Sequence, residues 1–443
     1  MNKIDINEKL QKFPIRVNHQ VQLNSPNQEV EIWNGRFNLY FKEVSLTING
    51  EIYYSWFPDS GVKFKGEIQN RTSYVKDLFT EQYIVKVDDQ KVGSGYLQGV
   101  ILEEEINVCE GSLNEFWKGN IEIPVEEIRF CLPNMRSFVG EIIRSNSKNK
   151  LPYHGRLTFI SKPYELYLDQ IENYNYLLFE LRKKGGYAIF YEGKIFKEGG
   201  LISLSEFLNW HNRFHTFLTL LNGRIVAPLF YSGFKNNKNL WSHYTDYYKS
   251  QFRDVNSWSE GLDFKDINNL WMEFDNLWQD ENDRDFISTL THWYVEANSK
   301  AGKIEGAIIL IQTALELLFN WLIIEKNKEI TRSKTRKMNA IEKLEKLIDK
   351  LQIDTKIPEN LDNLKKFNDN GPMAIVNIRN ALVHGDKKGR TTLNRISEEV
   401  MDEVLQLGIW YVELSFLKIF KYSGRYYNRT SGRKNEMIPW KDI

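Results

Sequence analysis

The C-terminal half of the chain is organised around residues 375–386, which read IVNIRNALVHGD. The apolar spacing predicts the last turns of a buried helix that ends at His384. Gly385 can adopt a positive φ and therefore makes a natural stop after that helix. Arg379 and His384 stand five positions apart, and Asn380 directly follows the arginine. The pattern predicts a histidine at a helix end with polar side chains within reach.

Helix geometry places Asn380 and His384 on one face, because residues four apart are neighbours. The amide can then hydrogen-bond the imidazole and fix its tautomer. Arg379 and His384 differ by about 140° around the axis. Arg379 must therefore curl along the surface, or the last turn must unwind, if both are to contact one phosphate. The alternative is structural: His384 caps carbonyls of its own helix and Arg379 forms a salt bridge.

Composition limits the classes of protein and of partner. A chain of 443 residues is expected to form two or three domains. Lysine plus arginine and aspartate plus glutamate number 59 each, which excludes a globally basic nucleic-acid coat but not a local basic patch. Cys109 and Cys131 form no CxxC pair, so we expect no zinc knuckle, no metal and no cofactor. Without a signal-peptide pattern or an uninterrupted apolar span, the expected location is cytoplasmic, with no membrane contact.

Short alternating segments between about residues 15 and 200 indicate β-structure. Asn34-Gly35 and Asn49-Gly50 each lie between two such segments, and both pairs suit two-residue hairpin turns. Many short strands with frequent turn signals favour an antiparallel sandwich or barrel. We therefore predict a β-rich N-terminal domain over residues 1–260.

The hydrophobic period changes at Ser203. Ser203 and Glu206 form a capping-box pattern, which predicts a helix over about 203–222 that stops at Asn222-Gly223. Residues 261–284 are expected to be a linker. From there to residue 443 the chain should form an antiparallel helical bundle, the fold class being α+β with two domains. The expected helices are 285–298, 303–326, 337–352, 373–384 and 395–421.

The string Arg379-Asn380-x-x-x-His384, late in a helical bundle, resembles the R-x4-6-H motif of HEPN domains. The polar residue after the arginine is also the HEPN form, and Ala314-Leu315-Glu316-Leu317-Leu318 in the long helix is similar to the same family. The β-rich region before it, the string Leu218-Thr219-Leu220-Leu221-Asn222-Gly223 and the overall length resemble ApeA-type anti-phage proteins. These have a β-rich N-terminal domain and a C-terminal HEPN domain, the all-α bundle expected here over 285–443.

This resemblance implies a metal-independent endoribonuclease used in phage defence by abortive infection. The 2′-hydroxyl attacks the adjacent phosphorus and leaves a 2′,3′-cyclic phosphate and a 5′-hydroxyl. Such a displacement needs a base and an acid on opposite sides of phosphorus, and an arginine can stabilise the developing charge. One motif supplies one histidine, so a homodimer through the HEPN domain would form a composite cleft. Arg379, Asn380 and His384 are the expected catalytic residues.

Other candidates extend this site. Glu316 could orient Arg379, although an exposed or capped glutamate is the simpler interpretation. A basic stretch over 326–337 carries six basic residues and one acidic residue, and such stretches are more often solvated linkers than phosphate-tracking surfaces. The expected RNA-binding residues are Arg332, Lys334, Arg336, Lys337, Lys387, Lys388 and Arg390, with Arg425, Arg429, Arg433 and Lys434 of the tail as lesser candidates.

Two other functions stay open. The bundle could be a non-catalytic module that dimerises or binds nucleotide or RNA, beside a ligand-binding β-domain. A carbohydrate- or peptide-binding β-sandwich fused to a helical scaffold is a third interpretation. Under the ribonuclease hypothesis the partners are RNA, with transfer RNA as one candidate, and a phage-derived trigger sensed by the β-domain, a role that rests on analogy of architecture.

Overall fold

Two units make up the chain, a β unit and a helical unit. The β unit comprises Met1–Asn212 and Val226–Arg253, and the helical unit comprises Arg213–Ile225 and Asp254–Ile443. The computed structural model describes residues 12–19, 21–42, 44–70, 79, 81–102, 107–145, 150–300, 303–384, 391, 393–394 and 396–440. A β-rich N-terminal part followed by a helical C-terminal part confirms the predicted order of the fold.

Within the described residues of the β unit, thirteen strands pair antiparallel in one sheet. The strands are β1 (Val30–Phe41), β2 (Val44–Ser55), β3 (Gly61–Ile68), β4 (Tyr83–Val87), β5 (Gln90–Leu102), β6 (Asn107–Gly119), β7 (Glu127–Pro133), β8 (Glu141–Ile143), β9 (Tyr153–Ser161), β10 (Tyr164–Gln170), β11 (Ile189–Lys197), β12 (Leu229–Lys235) and β13 (Lys238–Thr245). Two helices, α1 (Tyr174–Lys184) and α2 (Leu204–Asn222), interrupt them, and α1 was not predicted.

The first six strands close into a barrel, because β3 pairs with β6 as well as with β2. The other seven strands continue from β6 in the order β13, β12, β7, β11, β10, β9 and β8. Side chains that alternate inward, such as Phe37, Ile48, Ile52 and Phe64, fill the barrel and are at most 1% exposed. The barrel alternative of the sequence prediction therefore holds for the first six strands.

The two Asn-Gly hairpin predictions are wrong. Gly35 lies inside β1 and Gly50 inside β2, where the two glycines are direct cross-strand partners. Gly50 also pairs with Gly66 of β3, and a Cβ on Gly50 would lie 2.1 Å from the carbonyl oxygen of Lys65. A row of glycines across three strands permits the close backbone approach that a small, strongly bent barrel requires.

The capping box at the start of α2 is confirmed. The backbone N–H of Glu206 donates to Ser203 Oγ over 3.1 Å, and the Glu206 carboxylate accepts from the backbone of Ser203. The helix ends as predicted at Asn222, and Gly223 has a φ of +65°. The first half of α2 belongs to the β unit and its last half, from Arg213, belongs to the helical unit.

The helical unit contains α3 (Phe264–Trp278), α4 (Glu281–Asn298), α5 (Lys303–Phe319, continued by a π-helical segment Asn320–Lys326), α6 (Arg332–Thr335), α7 (Ala340–Lys350), α8 (Asp362–Phe367), α9 (Gly371–His384) and α10 (Glu398–Ile419). A hairpin of β14 (Arg425–Asn428) and β15 (Arg433–Met437) follows. The expected linker over 261–284 contains α3, whose first turn is capped by the Asp263 carboxylate. Local capping and a regular apolar face turn that segment into a helix.

Helix α5 lies at the centre of the bundle, packed against α4, α7, α9 and α10. Ile308, Ile311, Leu315 and Leu318 are at most 1% exposed. The segment Lys303–Lys326 is long and apolar enough to cross a membrane, but 56% of its most apolar window is buried inside the protein. That burial is what the core helix of a soluble bundle would show.

Candidate functional site

Helix α9 carries the predicted site, and its start is determined by local chemistry. At the start, the backbone N–H of Met373 donates to Asn370 Oδ1 over 2.8 Å, and Pro372 occupies the first turn. Its inner face is buried, through Ala374, Ile375, Val376, Ile378 and Ala381. The helix is therefore anchored by packing, and its last turn remains regular up to His384.

His384 is the last residue of α9 and its side chain is exposed. Asn377 is also exposed and Asn380 is half-buried, so a polar strip leads along the helix to the histidine. Asn380 does not hydrogen-bond His384 among the described residues. Its Oδ1 instead accepts from Arg379 Nη1 over 3.2 Å, because the adjacent guanidinium is a charged donor.

Arg379 extends its guanidinium along the helix surface to the next residue, Asn380. The regular last turn keeps Arg379 and His384 about 140° apart. The bond from Nη1 to Asn380 draws the guanidinium towards the face that also carries His384. Its Nε is buried and has no hydrogen-bond partner within the described part of the chain. Leaving a buried donor without a partner costs about 1–3 kcal/mol of stability, and the Nε of Arg379 carries such a cost.

Glu316 has a partner on its own helix. Gln312 Nε2 donates to Glu316 Oε1 over 3.1 Å, and the carboxylate is half-buried. Over the described ranges no salt bridge joins Glu316 to Arg379. No direct contact therefore supports the predicted role of Glu316 in orienting Arg379, and that role stays a prediction.

The basic residues that follow α5 divide into two groups. Arg332 and Arg336 line a pocket of about 320 Å³ together with Lys343 of α7. Lys334 and Lys337 are exposed and do not line it. Lys343 was missed by the sequence analysis, since only tertiary packing brings α7 beside the basic stretch. Lys387, Lys388 and Arg390 lie outside the described residues.

The prediction that Arg429 of the tail contacts RNA is wrong. Its side chain is 2% exposed and donates from Nε and Nη2 to both oxygens of Glu413, over 2.8 and 2.6 Å. Tyr294 Oη also donates to Glu413 Oε1, over 2.8 Å. This arginine neutralises a buried carboxylate and is not available to a ligand.

A second cavity of about 730 Å³ borders α9 at Leu382. Its charged lining residues are Lys300, Lys303, Glu305, Glu398, Glu399 and Asp402. Carboxylates outnumber lysines there, which disfavours entry of a polyanion. No group of three histidine, cysteine, aspartate or glutamate side chains placed to hold a metal ion occurs in the described ranges.

Comparison with known proteins matches two regions of the chain to domain families. Residues 280–438 match the YopA C-terminal domain and residues 120–255 match the YopA central domain. No solved structure matches the chain significantly. The chain is 25% identical over 441 residues to the SPbeta prophage-derived uncharacterized protein YopA of Bacillus subtilis (strain 168), a similarity that covers 94% of this chain and 96% of that relative.

Proposed function

We propose that the chain is a metal-independent endoribonuclease of the HEPN type that acts in the bacterial cytoplasm in defence against phage. The observation that carries the proposal is the end of α9, where His384 is exposed and Asn380 draws the Arg379 guanidinium towards the same face. A phosphate at this face would meet one group able to transfer a proton and one able to stabilise negative charge.

In the proposed reaction the ribose 2′-hydroxyl attacks the adjacent phosphorus and the 5′-oxygen of the next nucleotide leaves. The products are a 2′,3′-cyclic phosphate and a 5′-hydroxyl. One imidazole removes the 2′-proton and another protonates the leaving oxygen. Arg379 stabilises the charge that develops on the phosphoryl oxygens. Because each chain offers one such histidine, the proposed site is shared between the two subunits of a homodimer.

The basic pocket supports RNA as the substrate class. Arg332, Arg336 and Lys343 place three cations around one cavity, against a single carboxylate from Glu325. Cations of this kind contact the phosphate backbone and do not select a sequence. The cleaved RNA, with transfer RNA as one candidate, is selected by other contacts.

Phage defence is proposed on two grounds. An unrestrained cytoplasmic ribonuclease would kill its host, so activity requires a trigger, and the β unit is the proposed sensor of a phage-derived product. The similar Bacillus subtilis protein is described as prophage-derived, which suits a role in competition between phages.

A second candidate function is binding without cleavage. The same basic pocket would hold a nucleotide or an RNA phosphate whether or not His384 acts on it. In that case the helical unit would serve as a dimerisation and binding module and the β unit would bind a ligand.

The test is cleavage of total RNA by the purified full chain, with chelator present and the ends of the fragments mapped. We expect cyclic phosphate and 5′-hydroxyl ends, and a loss of at least about 100-fold in rate for His384→Ala. His292→Ala is the matched control, because His292 is an exposed histidine on α4 of the same unit. Undiminished cutting by His384→Ala, or abolition by chelator, would refute the mechanism; RNA binding with no cutting by the wild type would favour the second function.

The shared site has its own test. Mixing wild type with His384→Ala protein at a constant total concentration, with time for subunits to exchange, should lower the rate as the square of the wild-type fraction. A linear decrease would mean that each chain cuts alone.

A further inference from the structure

The β unit contains a cavity of about 450 Å³ that the proposed RNA cleavage does not use. Its apolar walls are Val21, Leu23, Ile171 and Ile189, all at most 8% exposed. Arg16 and Glu192 also line it. Small-molecule sites are typically concavities of about 300–1,000 Å³, and this cavity has such a volume. Polar side chains, among them Asn18, Gln22 and Ser145, line it beside the apolar ones.

Two of the four charged groups that line the cavity, Arg16 and Glu192, are incompletely paired. Arg16 Nη1 lies 3.5 Å from Glu192 Oε2, which is longer than a charge-assisted hydrogen bond. Within the described residues, Arg16 Nε and Glu192 Oε2 are both buried without a hydrogen-bond partner. Glu192 is 2% exposed and its position is imposed by β11, which pairs with β7 and β10. The site therefore offers one unpaired donor from Arg16 and one unpaired acceptor from Glu192, and β11 holds the glutamate in place.

Electrostatics shows which charge is lacking. Burial raises the pKa of the Glu192 carboxyl to about 7, although Arg16 acts to lower it. One guanidinium at 3.5 Å therefore does not compensate the lost solvation of this carboxylate. A second cation beside Glu192 would stabilise its ionised form, and an anion beside Arg16 would pair the free Nε.

We propose that this cavity binds a small zwitterion, an α-amino acid with an apolar side chain. Its ammonium group would donate to Glu192, its carboxylate would accept from Arg16, and its side chain would contact the apolar walls. A neutral ligand such as a nucleoside could form hydrogen bonds here but would bring no opposite charge to either group. Lys150 and Glu172, which also line the cavity, pair with each other. The ligand is therefore selected by Arg16 and Glu192.

The test uses the full chain, with thermal unfolding measured against each of the twenty common α-amino acids at millimolar concentration and titration calorimetry on those that stabilise. Guanosine and uridine serve as neutral ligands. We expect stabilisation by apolar amino acids, and binding at least about tenfold weaker for Glu192→Gln and for Arg16→Lys. Glu198→Gln, an exposed carboxylate after β11, is the control and should bind as the wild type does.

The pH dependence gives an independent readout. The ligand ammonium pairs with ionised Glu192, so affinity should rise about tenfold between pH 6 and pH 8, and this rise should vanish in Glu192→Gln. Burial lowers the pKa of His19, whose backbone donates to Glu192, to about 4, so His19 stays neutral over this range. The other charged or titratable groups around Glu192 are Arg16, Arg129, Asp169, Cys131 and Tyr153.

Three results would overturn the proposal: no amino acid stabilises the protein, Glu192→Gln and Arg16→Lys both bind like the wild type, or guanosine or uridine stabilises it in their place. If Glu192→Gln does not fold, Arg16→Lys and the pH profile of the wild type decide.

Discussion

Glu413 of α10 accepts hydrogen bonds on both carboxylate oxygens from Arg429, which lies between the strands of the C-terminal hairpin. Glu413 is 0% exposed. Breaking a buried pair by removing one charge leaves the other uncompensated, at a cost of about 3–5 kcal/mol. We expect Glu413→Gln to lower the free energy of unfolding of the helical unit by that amount, as measured by chemical denaturation.

The control for that measurement is Asp402→Asn. Asp402 pairs with Lys300 at 2.8 Å, but the two side chains are 44% and 52% exposed. Exposed pairs contribute at most about 1 kcal/mol. Equal losses in the two variants would mean that the buried pair does not hold the hairpin.

Glu192 should make the stability of the β unit depend on pH. Its pKa is about 7 in the folded chain, above the ordinary value of 4.5, so the folded state binds more protons between these values. Its contribution is fully present below pH 4.5 and is lost as the pH rises through 7, a difference of roughly 3 kcal/mol. His19, whose pKa falls from 6.5 to about 4, acts in the opposite direction, losing stability as the pH falls.

The comparison of wild type with Glu192→Gln isolates the glutamate from the histidine. Their difference in unfolding free energy should change with pH between 4.5 and 7, as measured by denaturant titrations at several pH values. Glu198→Gln should run parallel to wild type, and a constant difference for Glu192→Gln would refute the shift.

Asn380 should affect the rate of RNA cleavage because it positions the Arg379 guanidinium. Asn380→Ala removes the only oxygen that the described residues offer to Arg379 Nη1. We expect RNA cleavage to slow by roughly tenfold, the value of one charged hydrogen bond, with Asn380→Asp retaining most activity because its carboxylate still accepts from Arg379. Equal loss in both variants would mean that Asn380 acts in another way.

The pocket arginines should determine how RNA binding depends on salt. Arg332→Ala with Arg336→Ala removes two phosphate contacts, so the slope of log affinity against log salt should decrease by about 1.4 for single-stranded RNA. Lys334→Ala with Lys337→Ala makes the same change in charge outside the pocket and should have a smaller effect. Filter binding at several salt concentrations measures both, and identical slopes would mean that attraction is not localised in the pocket.

Local patterns were predictable, and pairings distant in sequence were not. Ser203 and Glu206 cap their own helix, so their spacing alone was sufficient. Asn34-Gly35 was an equally local pattern and predicted a turn. In the structure, Gly35 instead pairs with Gly50, and Gly50 pairs with Gly66, across three strands. These glycines are needed where the strands of the barrel approach each other closely. Barrel closure depends on pairings distant in sequence, so a short stretch of sequence does not reveal it.

The same distinction applies to the candidate site. The spacing of Asn380 and His384 was enough to place them on one helix face. Arg429 looked like a surface arginine because its partner, Glu413, is sixteen positions away and buried. Lys343 and Glu192 were missed for the same reason. The residues around each of them come from elements that are distant in sequence and meet only in the folded chain.

The strand β6 has a consequence for how the chain can be divided. One of its edges pairs with β5, while the other pairs first with β3, over Val108–Leu113, and then with β13, over Glu115–Gly119. The central-domain match begins at residue 120, immediately after this strand. A fragment cut there would expose the edge of β13 from Trp241 to Thr245, an open template for pairing with another copy. We therefore expect a fragment that begins at residue 120 to associate through this edge, which β6 covers in the full chain.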